Sequence, residues 1–339
     1  MNLKTRSHAR LPRIALLATG GTIAGAPSAD GQTRYVAGAV DIARLLQAVP
    51  GLSARADLRA EQVINIGSQN MTHEVWLTLA ARVLAVQAED DIDGIVIAHG
   101  TDTLEETAYF LSLVVPAIKP LILVGAMRPA HALSADGPAN LMRAVALASE
   151  PAAGGCGPLV VMNDTFHRAA DVQKMASCGV HAFASRDSGP LGMIPDHTPI
   201  FLQNVQPAAS PDARFPLHTL IDSALPEVAI VYAHAGMNPR SILDIAQWAD
   251  GIVLAGVGDG NATDAAWDAL RQAVAKGVAV VRATRCATGP VIRNGEIDDD
   301  RIGTLAAGWL SPQKARILLM LALTRTRDAA ELRSSFDLH

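Results

Sequence analysis

Three short polar stretches carry residue types suited to chemistry on a small polar molecule. The first is Gly20-Gly21-Thr22, which follows the apolar run 14–19. Paired glycines put no side chain beside the Thr22 hydroxyl, so a ligand has room to approach. The second is Ser68-Gln69, after Gly67. The third is Thr101-Asp102, after His99-Gly100. A threonine hydroxyl is a weak nucleophile unless a neighbour helps remove its proton. Tyr35, Lys174 and the Thr101-Asp102 pair are the candidates for that help. Asp102 suits a positive group, while Ser68 and the N–H groups of helix starts suit a negative one. A fourth polar loop, 256–261, carries Asp259 and Asn261, and the turn-like Asn294-Gly295-Glu296 carries a carboxylate.

Each residue also has a plainer reading. Thr22 could end an ordinary strand-to-loop turn. A nucleotide loop fits poorly, because Thr22 stands where the dinucleotide fingerprint needs glycine and no Lys-Ser/Thr pair follows Gly25. Thr101 and Asp102 could be helix caps, Ser68-Gln69 a turn, Lys174 a solvated surface lysine and Glu296 exposed and inert. His99 reads as a packed, hydrogen-bonded imidazole.

The elements that must position these groups follow from periodicity. Residues 14–19, 62–66, 92–98, 121–124 and 159–162 read as buried strands, and most run into a polar or glycine-rich loop. Helices are expected over 40–49, from a Thr72 cap through Leu84, and from 104 to 115. Thr103 and Glu106 have capping-box spacing. Alternating strands and helices of this kind build a doubly wound parallel sheet, and strand ends of one sense converge on one edge, where ligands bind. The loop 26–36, carrying Tyr35, reads as a lid or a plain connection. A proline-rich stretch over 201–226 breaks the rhythm. The fold class is therefore α/β with two domains. The larger, N-terminal doubly wound domain is expected over 11–203, a linker over 204–226, and a smaller C-terminal α/β domain over 227–339. In the latter, strands are expected at 228–232, 252–254 and 278–281, and helices near 240–248, 265–275 and 312–324, the last capped by Ser311.

Composition narrows the function. The chain has 339 residues, half of them hydrophobic, and a net charge of −5 without a basic stripe, which argues against nucleic acid as a partner. No apolar run reaches the roughly 18 residues of a membrane span. Three distant cysteines make neither a disulfide framework nor a zinc spacing, and the histidines lack ligand spacing. The basic N-terminal stretch 1–13 has no apolar core of an export signal, so the expected compartment is the cytoplasm.

Taken together the chain resembles the bacterial-type L-asparaginase family, amidohydrolases with a threonine nucleophile. The resemblance rests on ATGGTIAG at 18–25, NIGSQ at 65–69, HGTDTLEETAYFL at 99–111, VGAMRP at 124–129, SADGP at 134–138, VMNDT at 161–165 and PQKAR at 312–316. It implies hydrolysis of L-asparagine to L-aspartate and ammonia through an acyl-enzyme, with L-glutamine as a secondary substrate. It implies no metal or cofactor, and a homotetramer built as a pair of intimate dimers. Carried over, Thr22 is the nucleophile and Tyr35 assists it from the loop. Thr101, Asp102 and Lys174 form the second catalytic group. Gly21, Ser68, Gln69, Thr101 and Asp102 bind substrate, with Ser68 on the α-carboxylate and Gln69 and Asp102 on the α-ammonium. Asn261 and Glu296 reach in from the neighbouring subunit. Backbone N–H groups near the threonines would stabilise the oxyanion by about 3 kcal/mol per donor.

Three positions depart from the family pattern. Asn70 stands where Asp is common, and either residue caps a helix. Ala88 and Ala117 stand where the periplasmic branch often has a disulfide. Asp259 replaces a frequent Asn, adding a negative charge expected to weaken binding of an anionic product or to shift the pH optimum. The rival readings are a mixed glutaminase-asparaginase, a catalytically silent amino-acid-binding or sensor protein on the same fold, and the asparaginase-like subunit of a transfer-RNA amidotransferase.

Overall fold

The computed structural model describes residues 10–21, 26–27, 35–36, 49–204, 212–221 and 224–337, with 26–27 and 35–36 as backbone. Most of the expected helix at 40–49 lies outside them. The chain forms two compact units, Met1–Arg214 and Phe215–His339.

The first unit is built on β1 (Arg13–Gly20), whose residues are buried beyond Arg13. Short strands β2 (Ala26–Pro27) and β3 (Tyr35–Val36) pair antiparallel. Then come β4 (Asp57–Ile66), α1 (His73–Gln87), β5 (Gly94–Ala98), α2 (Leu104–Val114), β6 (Leu121–Val124), α3 (Gly137–Ala148) and β7 (Pro158–Met162). β4 begins five residues before the expected strand, and its mixed exposure hid its start from a hydrophobic pattern. The wholly buried strands β5, β6 and β7 match the continuous apolar runs of a sheet covered on both faces.

In the main sheet the parallel strands lie in the order β4-β1-β5-β6-β7. The chain passes from β1 to β4 on one side, then crosses by α1 to β5 on the other. The winding direction therefore reverses between β1 and β5, and the crevice outside their carboxyl ends is the expected ligand site of a doubly wound sheet. An antiparallel extension follows, from β8 (Thr165–Arg168), β11 (Gly192–Met193) and β12 (Ile200–Phe201). Between them, β9 (Val172–Lys174) and β10 (Phe183–Ser185) form a separate antiparallel pair. The hairpin from β7 to β8 turns at Asn163, whose φ of 58° lies in the left-handed region that asparagine tolerates. Nothing in the hydrophobic pattern separates these short strands from loop.

The second unit runs β13 (Val228–Tyr232), α4 (Arg240–Ile245), β14 (Gly251–Gly256), α5 (Asp264–Ala275), β15 (Ala279–Thr284), α6 (Asp299–Ile302), β16 (Leu305–Ala306), α7 (Pro312–Leu323) and α8 (Ala329–Phe336). Its four strands are parallel and in chain order. Thr72, Thr263 and Ser311 each accept a backbone N–H at the start of their helices. α7 starts at Pro312, whose missing N–H costs nothing there. Among the described residues, no helix is long and apolar enough to cross a membrane.

Candidate active site

The carboxyl ends of β1, β4 and β5 meet through glycine. Gly20 and Gly21 have φ of 104° and 85°, a region L side chains rarely adopt. A Cβ on Gly21 would stand 2.5 Å from Gly100 Cα, and one on Gly100 would stand 2.6 Å from Ser68 Oγ. Backbones this close admit no side chain between them. The Gly21 N–H also donates to the Ile66 carbonyl at 3.2 Å. Three loops far apart in sequence are thus packed edge to edge at the reversal point of the sheet.

Hydrogen bonds fix the loops further. Ser68 is buried; its Oγ accepts the Asp102 N–H at 3.2 Å and its carbonyl accepts the Thr103 hydroxyl at 2.7 Å. The capping box expected of Thr103 and Glu106 therefore does not form. Thr103 is the N-cap residue of α2 without a side-chain cap bond, and its hydroxyl is turned instead to donate to the Ser68 carbonyl. Gln69 and Asp102 are exposed, whereas Thr101 is buried.

Lys174 joins this site from the end of β9. Its Nζ donates to Thr101 Oγ1 at 2.9 Å and to Asp102 Oδ1 at 2.6 Å. Its side chain is only 17% exposed, so the surface-lysine reading is corrected. Thr101 and Asp102, read alternatively as caps, are instead held by one cation. The Lys174 backbone N–H donates to the carboxylate of Glu105, which is buried in the first turn of α2. Glu105 was not singled out from sequence. Its one signal is a charged side chain in a helix that is buried nearly all round.

Behind Thr101, His99 is completely buried. Its Nδ1 lies 2.7 Å from the Gly100 carbonyl, which only accepts, so Nδ1 carries the proton. Nε2 then accepts from the Thr107 hydroxyl at 3.0 Å, and Thr107 accepts from Trp76 Nε1 at 2.9 Å. Burial pushes the imidazole down to about 4, with the Gly100 carbonyl opposing. His99 is a neutral strut, as its packed reading expects. On the far side, Asp136 accepts the N–H groups of Met127 and Arg128 at 3.0 and 2.9 Å. The VGAMRP and SADGP stretches are two halves of one anchored loop.

In the second unit, Asn261 Nδ2 donates to Glu296 Oε1 at 2.5 Å. Asn261 Oδ1 accepts from Trp267 Nε1 at 2.9 Å and from the Ala262 N–H at 2.7 Å, which fixes the direction of the amide. Glu296 is exposed, but it is held in this pair. Asp259 turns its carboxylate to the N–H groups of Ile292, at 2.8 Å, and Glu296, at 3.3 Å.

Within the first unit the structure thus brings together Gly21, Ser68, Thr101, Asp102 and Lys174. Within the second it brings together Asn261 and Glu296. Thr22 lies outside the described residues, as does the side chain of Tyr35, whose backbone pairs with Pro27. A buried hydroxyl touching a lysine, beside a carboxylate and a second buried hydroxyl, is an arrangement for nucleophilic or general acid–base chemistry on a polar substrate.

The fold is that of a two-domain α/β protein whose candidate site lies at a sheet reversal. Residues 13–206 match the family model "Asparaginase, N-terminal" and residues 227–336 match "Glutaminase/Asparaginase C-terminal domain". The chain is 45% identical to L-asparaginase 2 of Escherichia coli, over 96% of this chain and 93% of that protein. It is 44% identical to a probable periplasmic L-asparaginase of Haemophilus influenzae, over 99% and 96%. It is 42% identical to the glutaminase-asparaginase of Pseudomonas fluorescens, over 98% and 92%. The chain belongs to the asparaginase family of amidohydrolases.

Proposed function

We propose that the chain hydrolyses L-asparagine to L-aspartate and ammonia, with L-glutamine as a secondary substrate. The reading is carried by the bond from Lys174 Nζ to Thr101 Oγ1, shared with Asp102. A binding protein has no need of a buried hydroxyl held against an ammonium, and this is the observation that favours the enzyme over a silent sensor. The mixed glutaminase-asparaginase remains the second reading, because relatives of both names match over nearly the whole chain.

In the proposed reaction Thr22 attacks the side-chain amide carbon, giving up its proton as ammonia leaves, and a threonyl ester forms. Water then cleaves the ester, releasing L-aspartate and restoring the hydroxyl. Tyr35 assists the first step. Thr101, oriented by Lys174 and Asp102, orients or activates the water. Gly21 leaves room for the substrate, Ser68 takes its α-carboxylate, and Gln69 and Asp102 take its α-ammonium. The expected organisation is a catalytic domain over 11–203, a linker over 204–226 and a second domain over 227–339. That second domain lends Asn261 and Glu296 to a neighbouring subunit of a homotetramer. The expected location is the cytoplasm, and a periplasmic L-asparaginase among the relatives keeps the periplasm as the alternative.

The test is ammonia release from L-asparagine and L-glutamine in parallel, with Thr22→Ala as control. Hydrolysis of both amides, abolished in the variant, supports the reading. No hydrolysis of either amide overturns the enzyme, and full activity in Thr22→Ala overturns the nucleophile.

A further inference from the structure

Asn261 sits on a half-buried loop and Glu296 on an exposed one, and exposed carboxylates ordinarily sample many positions. Here the loops are tied from behind. The segment 257–261 closes on itself, with Val257 N–H to Asn261 O at 2.8 Å and Asn261 N–H to Val257 O at 2.7 Å. Asp259, half-buried at its centre, reaches across to the 291–296 loop. Its two carboxylate oxygens accept the N–H groups of Ile292 and Glu296 at 2.8 and 3.3 Å. It packs so closely that a Cβ on Gly295 would stand 2.6 Å from Asp259 Oδ2.

Beneath Asp259 lies a second layer. Arg282 and Asp299 are both fully buried. Arg282 Nε and Nη2 each meet a different Asp299 oxygen at 2.7 Å, the bidentate geometry a guanidinium favours. Two further donors of Arg282 go to the two loops, with Nη1 to the Asp259 carbonyl at 2.6 Å and Nη2 to the Ile292 carbonyl at 3.1 Å. Asp299 in turn accepts the Asn294 N–H at 3.0 Å. One guanidinium therefore sets the spacing of both loops, and Asp259 sets the phase of the Glu296 backbone relative to Asn261.

The geometry points to Asp259, seated on the Arg282–Asp299 pair, as the positioning residue that holds Glu296 against Asn261 for substrate binding. This rests on the reading of Asn261 and Glu296 as substrate-binding groups. It also reverses the expectation for Asp259. Its charge is turned inward onto backbone N–H groups, so it strengthens binding by fixing Glu296 rather than weakening it by repelling an anion.

The two roles predict opposite signs in steady-state kinetics of the full-length protein with L-asparagine. Asp259→Ala removes both acceptors and is expected to raise KM about tenfold while kcat changes less than about threefold. Asp259→Asn keeps one acceptor and is expected to fall between. In a Glu296→Ala background, Asp259→Ala is expected to add less than about twofold, because the effect passes through Glu296. Thermal unfolding of each variant separates this from a loss of fold, and Asp259→Asn serves if Asp259→Ala does not fold. The proposal is overturned if Asp259→Ala lowers KM or leaves it unchanged, or if its effect multiplies in full with that of Glu296→Ala. It is also overturned if Asp259→Asn only tightens inhibition by L-aspartate. An unchanged KM in Glu296→Ala alone would instead overturn the reading of Glu296 as a binding group, and the proposal with it.

Discussion

Lys174 Nζ stands 2.9 Å from Thr101 Oγ1, although 73 residues separate the two in the chain. The lysine donates and the hydroxyl oxygen accepts, so the Thr101 proton stays free for another partner. Lys174→Met is expected to lower kcat by about 10²–10³-fold with little change in KM, the scale of a lost proton-transfer or electrostatic group. Lys174→Arg should not restore it, since a planar fork cannot take the place of a point cation donating to two oxygens. Steady-state ammonia release checks both, and activity within a few-fold of wild type in Lys174→Met would remove Lys174 from the catalytic group.

Gly100→Ala puts a methyl group 2.6 Å from Ser68 Oγ and 3.2 Å from the Ser68 backbone N. The Ser68 Oγ could rotate aside, but Ser68 Cβ, 2.8 Å from that methyl group, cannot, so the loops must part. The expected cost is about 1–3 kcal/mol of stability. Ser68 moves with its loop, so a rise in KM should accompany the fall in unfolding midpoint. An unchanged KM would show that Ser68 does not bind substrate.

The Arg282–Asp299 pair is closed to water. Removing one partner leaves a buried charge uncompensated, and Arg282→Met is expected to cost about 3–5 kcal/mol. Arg282→Met with Asp299→Leu should recover part of that loss, because no charge remains. Equilibrium denaturation at matched protein concentration measures it. For Asp299, burial alone would raise the carboxyl. Hydrogen bonds from Arg282, Thr304 and the Asn294 N–H outweigh it and hold the group below its ordinary 3.8. That stability is present above the ordinary value and is lost as pH falls below it.

His99 gives a pH dependence of its own. The folded imidazole sits at about 4 against an ordinary 6.5. Above 6.5 neither state holds the proton. Below it the unfolded chain binds a proton that the folded chain refuses, so stability falls with pH down to about 4. From one unit of pKa per 1.36 kcal/mol, the loss between pH 7 and pH 4 is about 3 kcal/mol. A His99→Gln variant should lack that part of the slope, whatever its stability at neutral pH. Denaturation midpoints across this range in both proteins are the check, and equal slopes would contradict a buried neutral His99.

The sequence by itself determined the class of fold and the neighbourhood of the site. Continuous apolar runs such as 14–19 and 94–98 announce strands buried on both faces, and the glycines that end them mark where backbones approach. Local chemistry also fixed the Thr72 and Ser311 caps, since a cap is decided within four residues. The same local reasoning failed at Thr103, whose hydroxyl is turned away from its helix to donate to the Ser68 carbonyl, 35 residues away. It misjudged Lys174 as well. Nothing beside Val172 and Gln173 shows that a short antiparallel pair will carry that side chain to Thr101, or that Glu105 will receive its backbone N–H. Asp259 was legible as a charge, yet its direction was not. A carboxylate goes where backbone N–H groups are left to be satisfied, and only the folded 291–296 loop puts them within reach. Sequence specifies which groups are present and which local bonds are cheap. The tertiary structure decides among the distant partners, because a hydrogen bond depends on position and angle and not on spacing along the chain.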